Sequence, residues 1–174
     1  MTATETTQTN SVDIAAVAGL AGKIQESPEV ASTTWHAKVQ WHEGFRSSAS
    51  IRDFAPAGSD EPTSLGGTDT GPNPVEQLLG ALGNCLAVGY AANATAAGIE
   101  INDLSIELEG DLDLHTFLGL NPEGNAGYEA IRVKVNLDSN ATDEQRAALH
   151  DKVVGTSPVG HTLSRAVPVD IDLT

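Results

Sequence analysis

Residues 72–86 read PNPVEQLLGALGNCL, and this stretch predicts the start of a long apolar helix. Asn73 is a favourable N-cap, Pro74 suits the first helical position, and Glu76 stands at the third, as in a capping box. We predict a helix from Pro74 to about Ala97, roughly 36 Å long at the usual rise per residue. Local chemistry therefore defines where the helix begins.

The predicted helix is apolar on nearly all sides, so nearly all of its surface has to be buried. Gly80, Gly83 and Gly89 weaken it locally, which indicates that neighbouring groups approach the helix backbone closely there. A monomer of 174 residues is too small to enclose such a helix. We therefore expect a homodimer that packs around it.

The sequence on either side alternates between apolar and polar residues in the way of antiparallel strands. We predict a hairpin of two strands within Trp35–Phe54, further strands at about 104–112 and 131–137, and a last edge strand over Val167–Leu173. Residues 55–74 show no periodicity and predict a long loop that is functional or wraps a partner. A second capping box, Thr142 with Gln145, opens a helix to about Val154, and Ser157-Pro158 starts a short helical piece.

This order of elements, strands and helices kept apart, predicts an α+β fold. The outward faces of the two middle strands carry acids at 107–111 and bases at 132–134, which favours antiparallel pairing of the two. We expect one domain over residues 34–174. Residues 1–33 before it are expected to combine a disordered start, residues 1–10, with a short amphipathic helix that Ser11 caps.

Composition excludes several classes of partner. The chain has 24 acidic and 9 basic residues and a formal charge of −15. Nucleic acids and anionic membranes are bound by clustered Lys and Arg, which are missing here, so we expect neither as a partner. No basic region of a secretory signal precedes the first apolar stretch. A single cysteine excludes an intramolecular disulfide and fits a cytoplasmic location.

That cysteine, Cys85, has two interpretations. Free cysteine is among the most buried residue types and packs as a small hydrophobic side chain. A reactive thiol needs a nearby cation, because Cys85 lies about eleven residues beyond the helix start, where the helix dipole has little effect. Arg46, Arg52 or a histidine are the candidates. Glu76 lies about 13.5 Å away along the axis and on the opposite side, so it requires an intermediary or a second subunit to act with Cys85.

Other chemical motifs are weak. Ser157 and His161 are spaced for one helical turn, but no G-x-S-x-G elbow surrounds Ser157, and a helix cap explains it. His36 and His42 lie about 20 Å apart along one strand face, too far to share a metal. The Gly-Gly pair at 66–67 lacks the lysine of a phosphate-binding loop. We therefore expect no metal and no cofactor.

A resemblance to the OsmC/Ohr family of osmotically inducible and organic-hydroperoxide-resistance proteins rests on three stretches: LGGTDTGPNPVEQLLGALGNCLAVGYAANATAAGIEINDLSIELEGDLD, SPVGHTL and AVPVDIDL. The similarity covers about residues 34–173, with P-x-E-x-L-L-x-A-L-x-x-C-L as its most specific part. It implies an intertwined homodimer in which long central helices pack between antiparallel β-sheets. It also implies two active sites at the subunit interface.

The resemblance further implies roles for individual residues. Well-studied members reduce organic hydroperoxides with two cysteines, and Cys85 matches the first, which attacks the peroxide and becomes a sulfenic acid. Glu76 matches an assisting glutamate. Arg46 is our assignment for an assisting arginine from the hairpin, with Arg52 as the alternative. Ser157 stands where the second, resolving cysteine is expected, and serine cannot form a disulfide.

Two functional hypotheses follow from the sequence. In the first, the protein is a stress-response enzyme that reduces organic hydroperoxides with one cysteine and an external thiol reductant. In the second, it is a non-catalytic dimer that binds a small hydrophobic molecule, and Cys85 is a packing residue.

Overall fold

A computed structural model describes residues 9–173. Its helices and antiparallel strands form the predicted α+β fold. The described residues divide into two compact units, one made of the residues up to Ile14 and from Leu79 onward, the other of Ala15–Leu78. Most of the predicted disordered start, residues 1–8, lies outside the described residues. No helix within 9–173 is both long and apolar enough to cross a membrane.

A three-stranded antiparallel sheet and most of α1 (Ile14–Glu26) belong to the unit Ala15–Leu78. The strands follow the order β1-β2-β3, with bounds β1 (Lys38–Glu43), β2 (Arg46–Ser50) and β3 (Ala57–Ser59). The predicted hairpin is therefore present but shorter than expected. Its pairing ends at Lys38 with Ser50, because Arg52 turns the chain away with a φ of 50°.

The loop between β2 and the long helix is ordered around one carboxylate. Asp60 is 1% exposed and accepts five hydrogen bonds, from the Glu61 N–H and from the N–H and hydroxyl of both Thr68 and Thr70. These bonds, that of the Thr68 hydroxyl first, hold the pKa of Asp60 well below its usual range. At Gly67 a Cβ would lie 1.8 Å from the Glu61 carbonyl oxygen, so the close turn requires glycine.

The long helix, α2 (Pro74–Ala96), begins where the sequence predicts. The Asn73 side-chain oxygen accepts from the Glu76 N–H, and the Glu76 carboxylate accepts from the Asn73 N–H, each at 2.9 Å. The predicted capping box is thus confirmed, and it satisfies two backbone donors that the helix itself leaves unpaired.

The remaining elements belong to the other unit, which also contains most of α2. They are β4 (Ile101–Leu112), α3 (Leu114–Phe117), β5 (Tyr128–Ser139), α4 (Asp143–Val154) and α5 (Pro158–Leu163). The buried core consists of Leu82, Leu86, Tyr90, Ala94, Ile99, Leu149 and Val153. Each large aliphatic side chain that is fully buried contributes about 1.5–3 kcal/mol, so this small cluster supplies much of the stability of the unit.

β4 and β5 pair antiparallel, as the charge pattern predicts, and their register places acidic residues opposite basic ones. Glu107 stands opposite Lys134, and Glu109 opposite Arg132. The Arg132 guanidinium donates to the carboxylates of both Glu109 and Asp111. The outward face is therefore a ladder of opposite charges, while the other face of the sheet packs on the core.

Burial of α2 on nearly all sides is not reached within one chain. The buried residues of the helix lie on one face at four-residue intervals, whereas Val88 on another face is 69% exposed. The reason is geometric, because one two-stranded sheet and a helix pair cover only one side of a helix. The predicted close approach to the helix glycines is found at two of the three positions. A Cβ at Gly83 or Gly89 would lie 2.9 Å from a core side chain, whereas a Cβ at Gly80 would meet nothing within 4 Å.

Two terminal predictions are wrong. Ser11 is not the cap of the first helix, which begins at Ile14; instead Asn10 is hydrogen-bonded to the backbone of Ile99 and Ile101. The last strand, expected over Val167–Leu173, is not formed. A strand needs a ladder partner, and no described strand of the chain pairs with this segment, whose apolar side chains remain exposed.

Candidate functional site

Cys85 lies in the middle of α2 and is half-buried. Its Sγ is 3.3 Å from the hydroxyl oxygen of Ser157, a residue that is 72 positions further along the chain and is itself buried. The contact is made because Ser157 caps the start of α5, with Pro158 at the first helical position. Sulfur and hydroxyl thus meet at the position where the family resemblance places a second cysteine.

The hydrogen-bond partners of Ser157 indicate which atom donates. Its oxygen already accepts from the Gly160 N–H at 3.1 Å. Among the described residues, the sulfur of Cys85 is the one remaining hydrogen-bond partner of this hydroxyl. We therefore assign the hydroxyl hydrogen to the sulfur. The structure thus gives the Cys85 sulfur a hydroxyl donor at 3.3 Å.

The two arginines and Glu76 belong to the unit Ala15–Leu78, and each has a partner there. Arg46 begins β2 and forms an ion pair with Glu43 across the hairpin turn. Arg52 lies over the ring of Phe54, with 4.6 Å from the guanidinium carbon to the ring centre. Glu76 is held in the capping box of α2. The contacts just described hold each predicted assisting residue within its own unit, and none of these contacts is with Cys85.

A groove of about 620 Å³ opens beside the Cys85–Ser157 contact, with Ser157 in its wall. Its apolar lining comes from α2, β5 and α4 and consists of Leu82, Leu86, Ile131, Val133, Val135 and Val154. Its polar side chains are those of Tyr90, His150, Ser157, His161 and Ser164. Among the described residues that line it, none is Asp, Glu, Lys or Arg. Volume and lining are typical of small-molecule sites.

Tyr90 and His150 form a polar pair in this groove. The Tyr90 hydroxyl lies 2.5 Å from Nδ1 of His150, and the Tyr90 side chain is 2% exposed. Burial raises the pKa of Tyr90, so the phenol keeps its proton at neutral pH and is available as a hydrogen-bond donor to the imidazole. Sequence reasoning missed this pair. The one available signal was a tyrosine on the apolar face of α2, since a buried phenol needs a hydrogen-bond partner.

Within residues 9–173, no group of three or more His, Cys, Asp or Glu side chains is arranged to hold a metal ion. His36 is exposed, and His42 is engaged by its Nε2 with the Ser48 hydroxyl at 2.9 Å. At the Cys85–Ser157 contact and in the groove beside it, the side chains that can take part in chemistry are a thiol, hydroxyls, imidazoles and a phenol.

Comparison with known families identifies the fold. The family described as OsmC-like protein matches residues 67–172, more than half of the chain and including α2, Cys85 and Ser157. The chain belongs to the OsmC family. The protein YmaD of Bacillus subtilis (strain 168), itself uncharacterized, is 30% identical over 114 residues, which cover 64% of this chain and 71% of the relative.

Solved structures of OsmC-family proteins share this fold. An OsmC-like protein from Mycoplasma pneumoniae has a TM-score of 0.66 at 22% identity, covering 76% of this chain and 89% of its own. An organic hydroperoxide resistance protein from Legionella pneumophila has a TM-score of 0.58 at 17% identity, covering 76% and 91%. One from Elizabethkingia anophelis has a TM-score of 0.55 at 15% identity, covering 75% and 89%.

Proposed function

We propose that this OsmC-family protein is a cytoplasmic, homodimeric stress-response enzyme that reduces organic hydroperoxides with Cys85 and an external thiol. The observation that carries the proposal is the 3.3 Å contact between Cys85 Sγ and Ser157 Oγ. It aims a buried hydroxyl at the sulfur, at the position of the resolving residue. Two structurally similar proteins are known as organic hydroperoxide resistance proteins, which favours the same reaction class.

The proposed reaction has three steps. The Cys85 thiolate attacks the terminal peroxide oxygen; an S–O bond forms, the O–O bond breaks, and the departing alkoxide takes a proton to become an alcohol. Cys85 is left as a sulfenic acid. Because Ser157 has no thiol, an external thiol attacks the sulfenic sulfur, releasing water and forming a mixed disulfide. A second reductant thiol then attacks the reductant's sulfur in this mixed disulfide, which releases Cys85 as the thiolate and leaves the two reductant thiols joined as a disulfide.

In this proposal Arg46 stabilises the thiolate and Glu76 orients the arginine, the two assisting roles that the family resemblance implies. The dimer that brings them to Cys85 is supported by the large apolar surfaces that one copy leaves exposed. These include Val88 on α2, Trp35 and Trp41 near β1, and the stretch Val167–Leu173. Apolar surface of this extent is typical of a protein–protein interface. Light scattering on the purified chain should give twice the monomer mass.

The decisive experiment follows cumene hydroperoxide consumption in the presence of a dithiol reductant. Cys85→Ser should abolish the reductant-dependent rate. Ser157→Ala keeps the thiol but removes its hydrogen-bond donor, and we expect about a fivefold slower rate, equivalent to about 1 kcal/mol. Equal slow rates for the wild type and Cys85→Ser would refute the proposed peroxidase activity. Arg46→Lys compared with Arg52→Lys identifies the assisting arginine, because only the true partner should slow the reaction.

The groove favours a second candidate function. An apolar cavity of about 620 Å³ with few polar groups suits a non-catalytic dimer that binds a small hydrophobic molecule, with Cys85 as a packing residue. Cys85→Ala distinguishes the two functions. In the binding protein it leaves ligand affinity unchanged, and hydroperoxide is consumed no faster by the wild type than by the variant.

A further inference from the structure

The Tyr90–His150 pair fixes the arrangement of hydrogens on one imidazole. The Tyr90 oxygen and Nδ1 of His150 lie 2.5 Å apart. We assign the phenol as the donor and Nδ1 as the acceptor, because a phenol O–H is the stronger donor and an unprotonated imidazole nitrogen the stronger acceptor of the two groups. In a neutral imidazole the single N–H is then on Nε2. His150 therefore presents one oriented donor, held in place by a residue whose ring is part of the hydrophobic core.

The other polar groups of the groove narrow the ligand chemistry. Ser157 is committed to Gly160 and Cys85, and the Ser164 hydroxyl donates to the carbonyl of His161. His150 and His161 are left as the ionisable groups that can meet a ligand. Both are donors when protonated, and neither can neutralise a bound cation.

The distribution of charged residues also favours an anionic ligand over a cationic one. The chain carries 24 acidic residues, yet none of the described residues lining this groove is acidic. An anion would be repelled over most of the surface but meets imidazoles here. Because the lining also lacks Lys and Arg, it does not suit a phosphate, which normally requires several charged donors. A carboxylate needs fewer donors, and the aliphatic walls suit an apolar body.

We propose that this groove is a binding site for a small monocarboxylate with an apolar body, whose carboxylate accepts a hydrogen bond from Nε2 of His150. The apolar body lies against the aliphatic side chains of α2 and β5. Binding requires neither the Cys85 thiol nor hydroperoxide chemistry, so the site stands apart from the proposed reaction.

The test uses octanoate as the probe and isothermal titration calorimetry on the full chain. We expect one octanoate per chain. Octanol, which lacks the carboxylate, and acetate, which lacks the apolar chain, should each bind at least tenfold more weakly. His150→Leu should weaken octanoate binding at least tenfold and leave octanol unchanged. His115→Leu is the matched control, since His115 pairs with Asp113 away from the groove, and it should bind octanoate normally.

Tyr90→Phe provides a second variant in case His150→Leu does not fold, because it keeps the buried ring and removes the hydroxyl that orients the imidazole. Tyr90→Phe should lower the affinity for octanoate severalfold more than the affinity for octanol. Octanol binding as tightly as octanoate, unchanged octanoate affinity in the folded His150 or Tyr90 variant, or no octanoate binding at all would overturn the site. Cys85→Ser should keep full octanoate binding, so a failure of the carboxylate site and a failure of the peroxidase are separately visible.

Discussion

A cysteine placed at position 157 should form a disulfide with Cys85. In the wild type the Ser157 oxygen lies 3.3 Å from the Cys85 sulfur, and the two side chains point at each other. A disulfide bond is about 2.05 Å long, so the two side chains have to approach by roughly 1.3 Å. Small rotations of both side chains supply a movement of this size.

The expected gain in stability follows from the length of the closed loop. The bridge joins residues 72 positions apart. The chain-entropy model gives about 4.4 kcal/mol for a loop of this length, as an upper value before any strain. At about 2–4 °C per kcal/mol for a chain of this size, the oxidised variant should melt up to roughly 9–18 °C above its reduced form. The reduced variant should be about 1 kcal/mol less stable than the wild type, because sulfur is a poorer helix cap than a hydroxyl.

The assay combines thiol counting with unfolding. After mild oxidation, Ser157→Cys should have no titratable thiol and should run as a monomer on a denaturing, non-reducing gel. Urea unfolding with and without reductant then gives the free-energy difference. Thr156→Cys is the matched control, because the Thr156 side chain is exposed and its hydroxyl donates to the Lys152 carbonyl. It should keep two free thiols per chain.

The reasoning would be refuted if oxidised Ser157→Cys retained two free thiols or formed only bridges between chains. Equal bridging by Thr156→Cys would also contradict it, since proximity would then not depend on the Ser157 position. Either result means that α5 does not present residue 157 to the sulfur.

Three further predictions concern stability. Asp60 has a folded-state pKa below its unfolded value, so it stabilises the fold above about pH 4, and this contribution is lost as the pH falls toward the folded-state pKa. Asp60→Asn should therefore lower the Tm at pH 7 and differ less from the wild type at pH 3, whereas the exposed Asp53→Asn should change little at either pH. Gly89→Ala places a Cβ 2.9 Å from Val153 Cγ1 and should cost about 1–3 kcal/mol in urea unfolding. Gly80→Ala meets nothing within 4 Å of its own chain and should gain up to about 1 kcal/mol; a large loss there would instead reveal contact with a second copy.

The parts of the fold that sequence predicts are those decided by neighbours along the chain. The Asn73–Glu76 and Thr142–Gln145 capping boxes are each contained in four residues, and both form as expected. The antiparallel pairing of β4 with β5 follows from alternation and from opposite charges on the outward faces of the two strands. Such features depend on spacing, which a single sequence displays directly.

The parts that sequence does not predict depend on distant residues. Nothing near Asp60 indicates that two threonines eight and ten positions later donate to it. The Tyr90–His150 bond joins residues 60 positions apart, so no local pattern reveals it. The Cys85–Ser157 contact was anticipated only through the family resemblance. The prediction of a last strand is wrong for the opposite reason, since Val167–Leu173 has a strand pattern but pairs with no described strand of its own chain.

The position of Ser157 at the head of a helix has a mechanical consequence. A cysteine sulfur at the same point would either cap α5 or form a disulfide with Cys85. Oxidation to the disulfide would therefore weaken the cap of α5, and reduction would restore it. Serine forms no disulfide, so no bond to the Cys85 sulfur competes with the hydrogen bond that its oxygen accepts from the Gly160 N–H. Disulfide formation within this chain therefore cannot remove the cap of α5.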